Sequence, residues 1–308
     1  MGSIAVVPHE IRTVAVIGAG TMGAGIAQVV ALAGLETRLH DVSAEALARG
    51  MARVTSQIED GVKRGKVPAD RAERARGLLA RVDEMSAAVA GADLVVEAVP
   101  EVLELKRATF TALDRLCPAP AILATNTSSL PIGTIASALA DPSRAVGLHF
   151  FNPPHIMKLV EIVKGERTAP AALDAARAFV ERIGKTSILV KDSPGFATSR
   201  LGLALGLEAM RMVEAGVASA SDIDLAMELG YGHPMGPLKV SDLVGLDVRL
   251  SIAEILHREL RQEQFRPPEI LRRLVAEGRL GKKTGQGFHR WDEPPRDPGA
   301  GGRKPTGS

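Results

Sequence analysis

The stretch TVAVIGAGTMGAGIAQVVALAGLETRLHDV, residues 13–42, passes from a β-branched run through three glycines into an alanine-rich segment and returns to a short run ending at Asp41. That succession reads as one strand–helix–strand unit, and it decides the fold class of the N-terminal part of the chain. Gly18, Gly20 and Gly23 stand in the spacing GxGxxG where the strand gives way to the helix. Glycines there allow a tight turn and a close approach of the backbone to a pyrophosphate, whose charge the helix N-terminus favours. Thr21 and Met22 share the turn and join the glycines as candidate contacts of a dinucleotide. Asp41 is placed to accept hydrogen bonds from a ribose hydroxyl pair, and no Arg or Lys directly follows it to receive a 2′-phosphate. NAD is therefore favoured over NADP. The competing structural account is a plain packing turn with Asp41 as a helix cap.

Working outward, residues 43–80 lack strand character. Leu47, Met51, Val54, Ile58 and Val62 recur every three or four positions, which predicts an amphipathic helix, and a second helix is expected after Pro68. This is longer than a simple crossover and reads as a helical excursion. Strand-like runs resume at 93–99, 121–127, 145–150, 157–163 and 187–192, alternating with helical segments such as 101–116 and 170–183. Alternation of this kind means an α/β, doubly wound, Rossmann-type sheet over 1–192. From 193 to 291 helices follow one another without strands, so a C-terminal all-helical domain is expected there. Gly202 and Gly206 in its first helix imply close backbone packing, within the domain or across a dimer. The Pro/Gly-rich residues 292–308 are expected to be a disordered tail.

With 308 residues the chain exceeds the usual size of one core. A net charge of +2 with 24% charged and 3% aromatic residues argues against a nucleic-acid binder and leaves small molecules as ligands. The single Cys117 excludes an internal disulfide, fits a reducing compartment and reads as a packing residue. The N-terminus has no basic region followed by an apolar run and cleavage site, so a cytoplasmic location is expected. The uncharged run 116–140 is interrupted by prolines and TNTSS, and reads as strand, loop and helix start rather than a membrane span. The seven histidines form no HExxH or His/Cys cluster, so no metal is implied.

The stretch GLHFFNPPHIMKLVE, residues 147–161, is mostly apolar yet carries two histidines and a carboxylate. Strand alternation puts Met157, Leu159, Glu161 and Val163 on one face, where an unpaired carboxylate would cost several kcal/mol or be protonated. A partner is required, and either His149 or His155 is within reach along the chain. A His–carboxylate pair suits a dehydrogenase, because one ring nitrogen takes the alcohol proton while the carboxylate orients the ring. A structural pair in a core is the alternative.

The motifs GAGTMGAGIAQ, VVEAVPEVLELK, NTSSL, GLHFFNPPHIMKLVE, DSPGF, GYGHPMGPLKVSDLVGLD and GKKTGQGF occur in an order that resembles the NAD-dependent L-3-hydroxyacyl-CoA dehydrogenases, including the 3-hydroxybutyryl-CoA dehydrogenases, over about residues 11–291. The resemblance implies that His149 is the general base, Glu161 its partner, Ser128 a contact of the reacting substrate oxygen, and Asn152 a residue near nicotinamide and histidine. It adds Asn126, Glu101, Lys106 and one lysine of GKK, here Lys283 rather than Lys282, to the cofactor contacts. Without it, Glu101 and Lys106 read as a helix-surface pair. His155 becomes a bystander, and His233, in GYGHPMGP, reads as a loop or interdomain residue and not a catalyst.

The resemblance further implies oxidation of an (S)-3-hydroxyacyl-CoA, of short chain such as 3-hydroxybutyryl-CoA, and a homodimer through the helical domain. Lys66, within the basic run of the excursion, is the preferred contact of the CoA phosphates. One position departs from the pattern. Ser199 stands where the family usually has an active-site asparagine, so it is either a shorter substrate contact, with a different acyl group accommodated, or a helix-start cap. A dehydrogenase of a free hydroxy acid, of gulonate type, and a non-catalytic crystallin-like NAD-binding protein are the alternative functions.

Overall fold

The structure, a computed structural model, describes residues 10–291. The expected tail at 292–308 lies outside the described residues. The chain divides into two compact units, one ending at Phe196 and the other beginning at Ala197.

The first unit runs β1 (Thr13–Ile17), α1 (Thr21–Leu32), β2 (Glu36–His40), α2 (Ala44–Lys63), α3 (Ala69–Leu78), β3 (Leu79–Arg81), α4 (Met85–Val89), β4 (Leu94–Glu97), α5 (Leu103–Leu116), β5 (Ile122–Thr125), α6 (Ile132–Ala136), β6 (Ala145–Phe150), β7 (Leu159–Lys164), α7 (Pro170–Arg182) and β8 (Thr186–Lys191). Its eight strands lie in the order β3-β2-β1-β4-β5-β6-β7-β8. All neighbours are parallel except β6 and β7, which are antiparallel. Strand order reverses at β1, and such a reversal opens a crevice at the C-terminal ends of the strands where ligands bind.

Period-two alternation divides the apolar side chains between the sheet's two faces. Val14, Val16, Val96, Leu148 and Ile162 pack with Ile26 of α1 and Phe179 of α7, whereas Ala15, Ile17, Val95 and Leu123 pack with Phe110 and Leu113 of α5. Two details differ from the sequence reading. The helical excursion ends at Leu78, and Leu79–Arg81 pairs with β2 as an edge strand because half-buried Leu79 packs onto both flanking clusters. Met157 precedes β7 and is exposed, so the alternating face begins at Leu159.

The second unit contains α8 (Thr198–Glu214), α9 (Ala220–Leu225), a π turn (Ala226–Gly230), α10 (Pro237–Val244), α11 (Leu246–Leu260) and α12 (Glu269–Ala276) around Leu203, Leu207, Met210, Leu246, Ala253 and Leu271. A methyl added at Gly206 would lie 3.0 Å from the Ser241 hydroxyl of α10, so the close approach expected there is made within the unit. Two buried aspartates organise its loops. Asp224 accepts from the backbone N–H groups of Leu238 and Lys239 at 2.8 and 3.0 Å and lies 2.7 Å from His289 Nε2. Asp242 accepts from the N–H groups of Phe288 and His289 and from Trp291 Nε1. The GYGHPMGP and GKKTGQGF segments are thus closed around buried carboxylates, and His233 sits in the loop, its N–H bonded to the Met227 carbonyl at 3.1 Å.

Candidate active site

A groove of about 630 Å³ opens over the ends of β1, β4, β5 and β6 and is lined by Gly18, Asp41, Glu101, Asn126, Ser128 and His149 among others. Thr21, Met22, Gly20 and Asn152 also face it. The glycine turn forms one wall. Gly18 has φ +104°, a conformation that favours glycine, and a Cβ there would come within 2.6 Å of the Ala98 carbonyl oxygen. A Cβ at Gly23 would run into the Gly18 carbonyl, whereas one at Gly20 would meet nothing within 4 Å. Two glycines therefore shape the turn and the third leaves open space. Helix α1 has no side-chain cap and no acid in its first turn, so its N-terminal amides remain available to a phosphate.

Asp41 closes that end. Its Oδ2 accepts from Ala19 N–H at 2.7 Å and its Oδ1 from Ser43 N–H at 2.9 Å. The cap of α2 is Ser43, not Asp41, whose remaining lone pairs face the groove. Open space at Gly20, uncapped amides and a carboxylate beyond them fit an unphosphorylated dinucleotide ribose. The sequence reading missed Arg53, whose Nη1 reaches the Thr21 hydroxyl at 3.1 Å. A cation one helix away leaves no periodic signal.

At the other end, residues His149 and Glu161 are directly opposite in the β6–β7 ladder. His149 is 7% exposed and Glu161 fully buried. The imidazole Nδ1 lies 2.7 Å from Glu161 Oε2, and because a carboxylate only accepts, Nδ1–H donates. This leaves Nε2, with no hydrogen-bond partner among the described residues, as the nitrogen for the groove that His149 lines. The rings of Phe151 and Phe196 pack at 4.5 and 5.8 Å from it. His155 is exposed in the connection and does not line the groove, and burial with the charges of Lys185 and Lys66 lowers its pKa.

Glu101 gathers the loop after β5. Its Oε1 accepts from the Thr127 hydroxyl at 2.6 Å, the Ser128 N–H at 2.8 Å and the Ser129 N–H at 3.1 Å, and Ser128 Oγ lies 3.1 Å away. Burial pushes the Glu101 carboxyl up, but the Lys106 charge and these hydrogen bonds outweigh it and hold the pKa below the usual carboxylate range. Lys106 does not lie on the helix surface. It is 1% exposed, its Nζ is 2.7 Å from Glu97 Oε1 and 3.4 Å from Glu101 Oε2, and it does not line the groove. Fully buried Glu97 also takes the Thr125 hydroxyl at 2.7 Å. Asn126 Oδ1 accepts from Phe150 N–H at 2.9 Å and ties β5 to β6 beside the groove.

Lys66 is exposed beyond α2. Two predicted residues belong to the helical unit. Lys283 grips both oxygens of Asp247 at 2.6 and 2.7 Å. Ser199 lies half-buried in the first turn of α8, where Ala197 and not Ser199 is the N-cap, so the capping account of Ser199 is set aside. Among the described residues no group of three or more His, Cys, Asp or Glu could hold a metal, and no helix is long and apolar enough to cross a membrane.

Fold and groove together define a dinucleotide-binding α/β oxidoreductase with an added helical unit. Residues 13–193 match the NAD binding domain of 3-hydroxyacyl-CoA dehydrogenase and residues 195–291 its C-terminal domain, so the chain belongs to the 3-hydroxyacyl-CoA dehydrogenase family. A probable 3-hydroxybutyryl-CoA dehydrogenase of Bacillus subtilis is 42% identical over 284 residues, 92% of this chain and 99% of that one. A 3-hydroxyadipyl-CoA dehydrogenase of Escherichia coli is 42% identical over 283 residues, 92% of this chain and 59% of that one. The crystal structure of the (S)-3-hydroxybutyryl-CoA dehydrogenase of Ralstonia eutropha superposes with a TM-score of 0.89 at 37% identity, covering 92% of this chain and all of the other. The protein is an NAD-dependent oxidoreductase of 3-hydroxyacyl-CoA.

Proposed function

We propose that the enzyme oxidises a short-chain (S)-3-hydroxyacyl-CoA, such as the 3-hydroxybutyryl thioester, to the 3-oxoacyl-CoA, with His149 as general base and Glu161 as its buried partner. The observation that carries this is the 2.7 Å Nδ1–Oε2 bond between two facing strand residues, which fixes the tautomer and leaves Nε2 for the substrate hydroxyl. Bound NAD+ supplies the hydride acceptor. His149 Nε2 takes the hydroxyl proton as the C3–H bond breaks, and Glu161 stabilises the resulting imidazolium. Ser128 steadies the reacting oxygen by turning its hydroxyl proton from Glu101 to donate to that oxygen, whose own proton goes to His149.

The groove lining supports Gly18, Gly20, Thr21, Met22, Asp41, Asn126 and Asn152 as cofactor contacts, with Arg53 added beside the pyrophosphate turn, while Gly23, which packs against the Gly18 carbonyl, shapes that turn. Glu101 joins them, and Lys106 acts through it. Lys66 meets the CoA phosphates. The reading keeps the enzyme cytoplasmic and homodimeric, with the exposed Leu201, Leu225, Leu229 and Tyr231 of the helical unit as support for a covered face.

NADH oxidation with acetoacetyl-CoA and with acetoacetate tests the substrate: turnover of the thioester is expected, and turnover of the free acid alone would reject it. Tight NADH binding without turnover of either would favour a non-catalytic role. His149→Ala and Glu161→Gln should each lower kcat by about 10²–10⁴-fold with NADH affinity, followed by fluorescence, unchanged. Near-wild-type turnover in both removes the assignment.

A further inference from the structure

Glu97 ends β4 fully buried, and each of its oxygens is committed. Oε1 accepts from the Val99 N–H and from Lys106 Nζ, both at 2.7 Å, and Oε2 accepts from the hydroxyl of Thr125, its neighbour across the β4–β5 ladder, also at 2.7 Å. One carboxylate thus ties the end of β4 to β5, to α5 and to the turn 98–101, whose residues line the groove. Lys106 answers it from α5. An ammonium has three protons, and Nζ meets an acceptor for each: Glu97 Oε1 at 2.7 Å, the Val99 carbonyl at 3.3 Å and Glu101 Oε2 at 3.4 Å.

Two carboxylates share one ammonium, so the cluster carries a net negative charge. Buried Glu97 takes the closer contact, and the surplus rests on Glu101, which opens to the groove. Glu101 divides its oxygens accordingly. Oε2 faces the ammonium, while Oε1 collects the Thr127 hydroxyl and the N–H and hydroxyl groups of Ser128 and Ser129 at 2.6–3.3 Å. A buried pair that served stability alone would need one carboxylate for one ammonium. Here the second carboxylate grips the loop that carries Ser128. The charge acting on it is that of Lys106; the loop brings only hydroxyl and amide donors, and His149 and Asp41 stand elsewhere on the groove lining.

We propose that Glu97 is a positioning residue for the reaction: by taking the short contact with Lys106 it sets how far the ammonium stands from Glu101, and so keeps one oxygen of Glu101 toward α5 and the other on the loop, with the Ser128 hydroxyl held at the groove. This rests on the dehydrogenase reading above, with Ser128 at the reacting oxygen. Glu97 itself touches neither substrate nor cofactor, and every residue involved belongs to the first unit. Without the Glu97 charge the ammonium turns to Glu101 alone and draws its carboxylate off the loop. Without the ammonium, burial pushes the Glu101 carboxyl up.

The test follows acetoacetyl-CoA reduction by NADH against pH in the wild type, Glu97→Gln, Lys106→Met and the double variant. In this direction His149 delivers a proton, so acid favours the histidine and a fall in rate at low pH reports a carboxylate. In the wild type that fall should lie below the usual carboxylate range, where Lys106 and its hydrogen bonds hold Glu101. Glu97→Gln should lower kcat by about tenfold or more, the scale of one hydrogen bond to a charged group, with KM for the thioester little changed and the acid limb no higher than in the wild type. Lys106→Met should move the acid limb up. The double variant removes one charge of each sign, so its denaturation midpoint should approach that of the wild type while its kcat stays low and its acid limb high. Recovery of kcat and acid limb along with stability in the double variant overturns the proposal, makes the pair structural only and leaves the dehydrogenase reading standing. Wild-type kcat in Glu97→Gln, or an acid limb raised by it, overturns the proposal as well. Near-wild-type turnover in Ser128→Ala removes the reading on which it rests. Glu97→Gln preserves shape and decides the matter even if Lys106→Met fails to fold.

Discussion

Glu97, Glu101 and Lys106 bear on the proposed chemistry through the loop they hold and not by touching it. Lys106 is buried between two carboxylates, and Glu101 in turn holds the loop that carries Ser128. Removing one partner of a buried ion pair leaves the other charge uncompensated, so Lys106→Met should lower the unfolding free energy by about 3–5 kcal/mol. The double variant Glu97→Gln/Lys106→Met should recover much of that loss. Chemical denaturation of the three proteins checks this, and a single variant as stable as wild type would show that the pair is immaterial. Glu97 was as legible as Glu161, since each stands in an apolar strand run, VVEAV and KLVEIV. Glu161 drew attention because histidines lay nearby in the chain, whereas the partner of Glu97 sits nine residues on in a helix that reads as amphipathic.

At the scale of elements, the β6–β7 pair positions the proposed dyad. The ladder sets His149 against Glu161 and Gly147 against Val163 on the same face. A methyl at Gly147 would stand 2.6 Å from Val163 Cβ and 2.9 Å from Ile132 Cδ1, closer than real Cβ contacts allow. Gly147→Ala should therefore spread the pair, costing about 1–3 kcal/mol as overpacking does, and should lower kcat with little change in NADH affinity. Thermal melts and steady-state kinetics check it; unaltered values for both would mean that the strands yield without cost. The strands and long helices were legible because their apolar periods are regular. Leu79–Arg81 was not, since three residues carry no period, and it becomes a strand only because β2 offers an open edge.

Over the whole molecule, the change from alternating elements to successive helices was readable in sequence, and the chain divides after Phe196. The proposed relation of Ser199 and Lys66 to a substrate, and of Lys283 to the cofactor, could be read only through resemblance, because it depends on contacts between distant segments and a ligand. The proposed homodimer belongs to this scale. Leu229 and Tyr231 are 78% and 79% exposed, an arrangement more consistent with a covered surface than with a solvated one. Light scattering should give twice the 32.4 kDa mass of the chain, and a monomer at micromolar concentration would contradict it.

The antiparallel pairing of β6 and β7 also separates connectivity from geometry. His149 and Glu161 are held together by the ladder and not by the segment that joins them, and Lys185 clasps that segment at two points, the Pro154 and Met157 carbonyls, each at 2.6 Å. The exposed residues His155 and Ile156 lie between those points. The backbone there is a place where the polypeptide can be rewired: new termini opened between His155 and Ile156 would leave the proposed acid–base partners, register and both anchored ends in position, making this hairpin a natural opening for circular permutation.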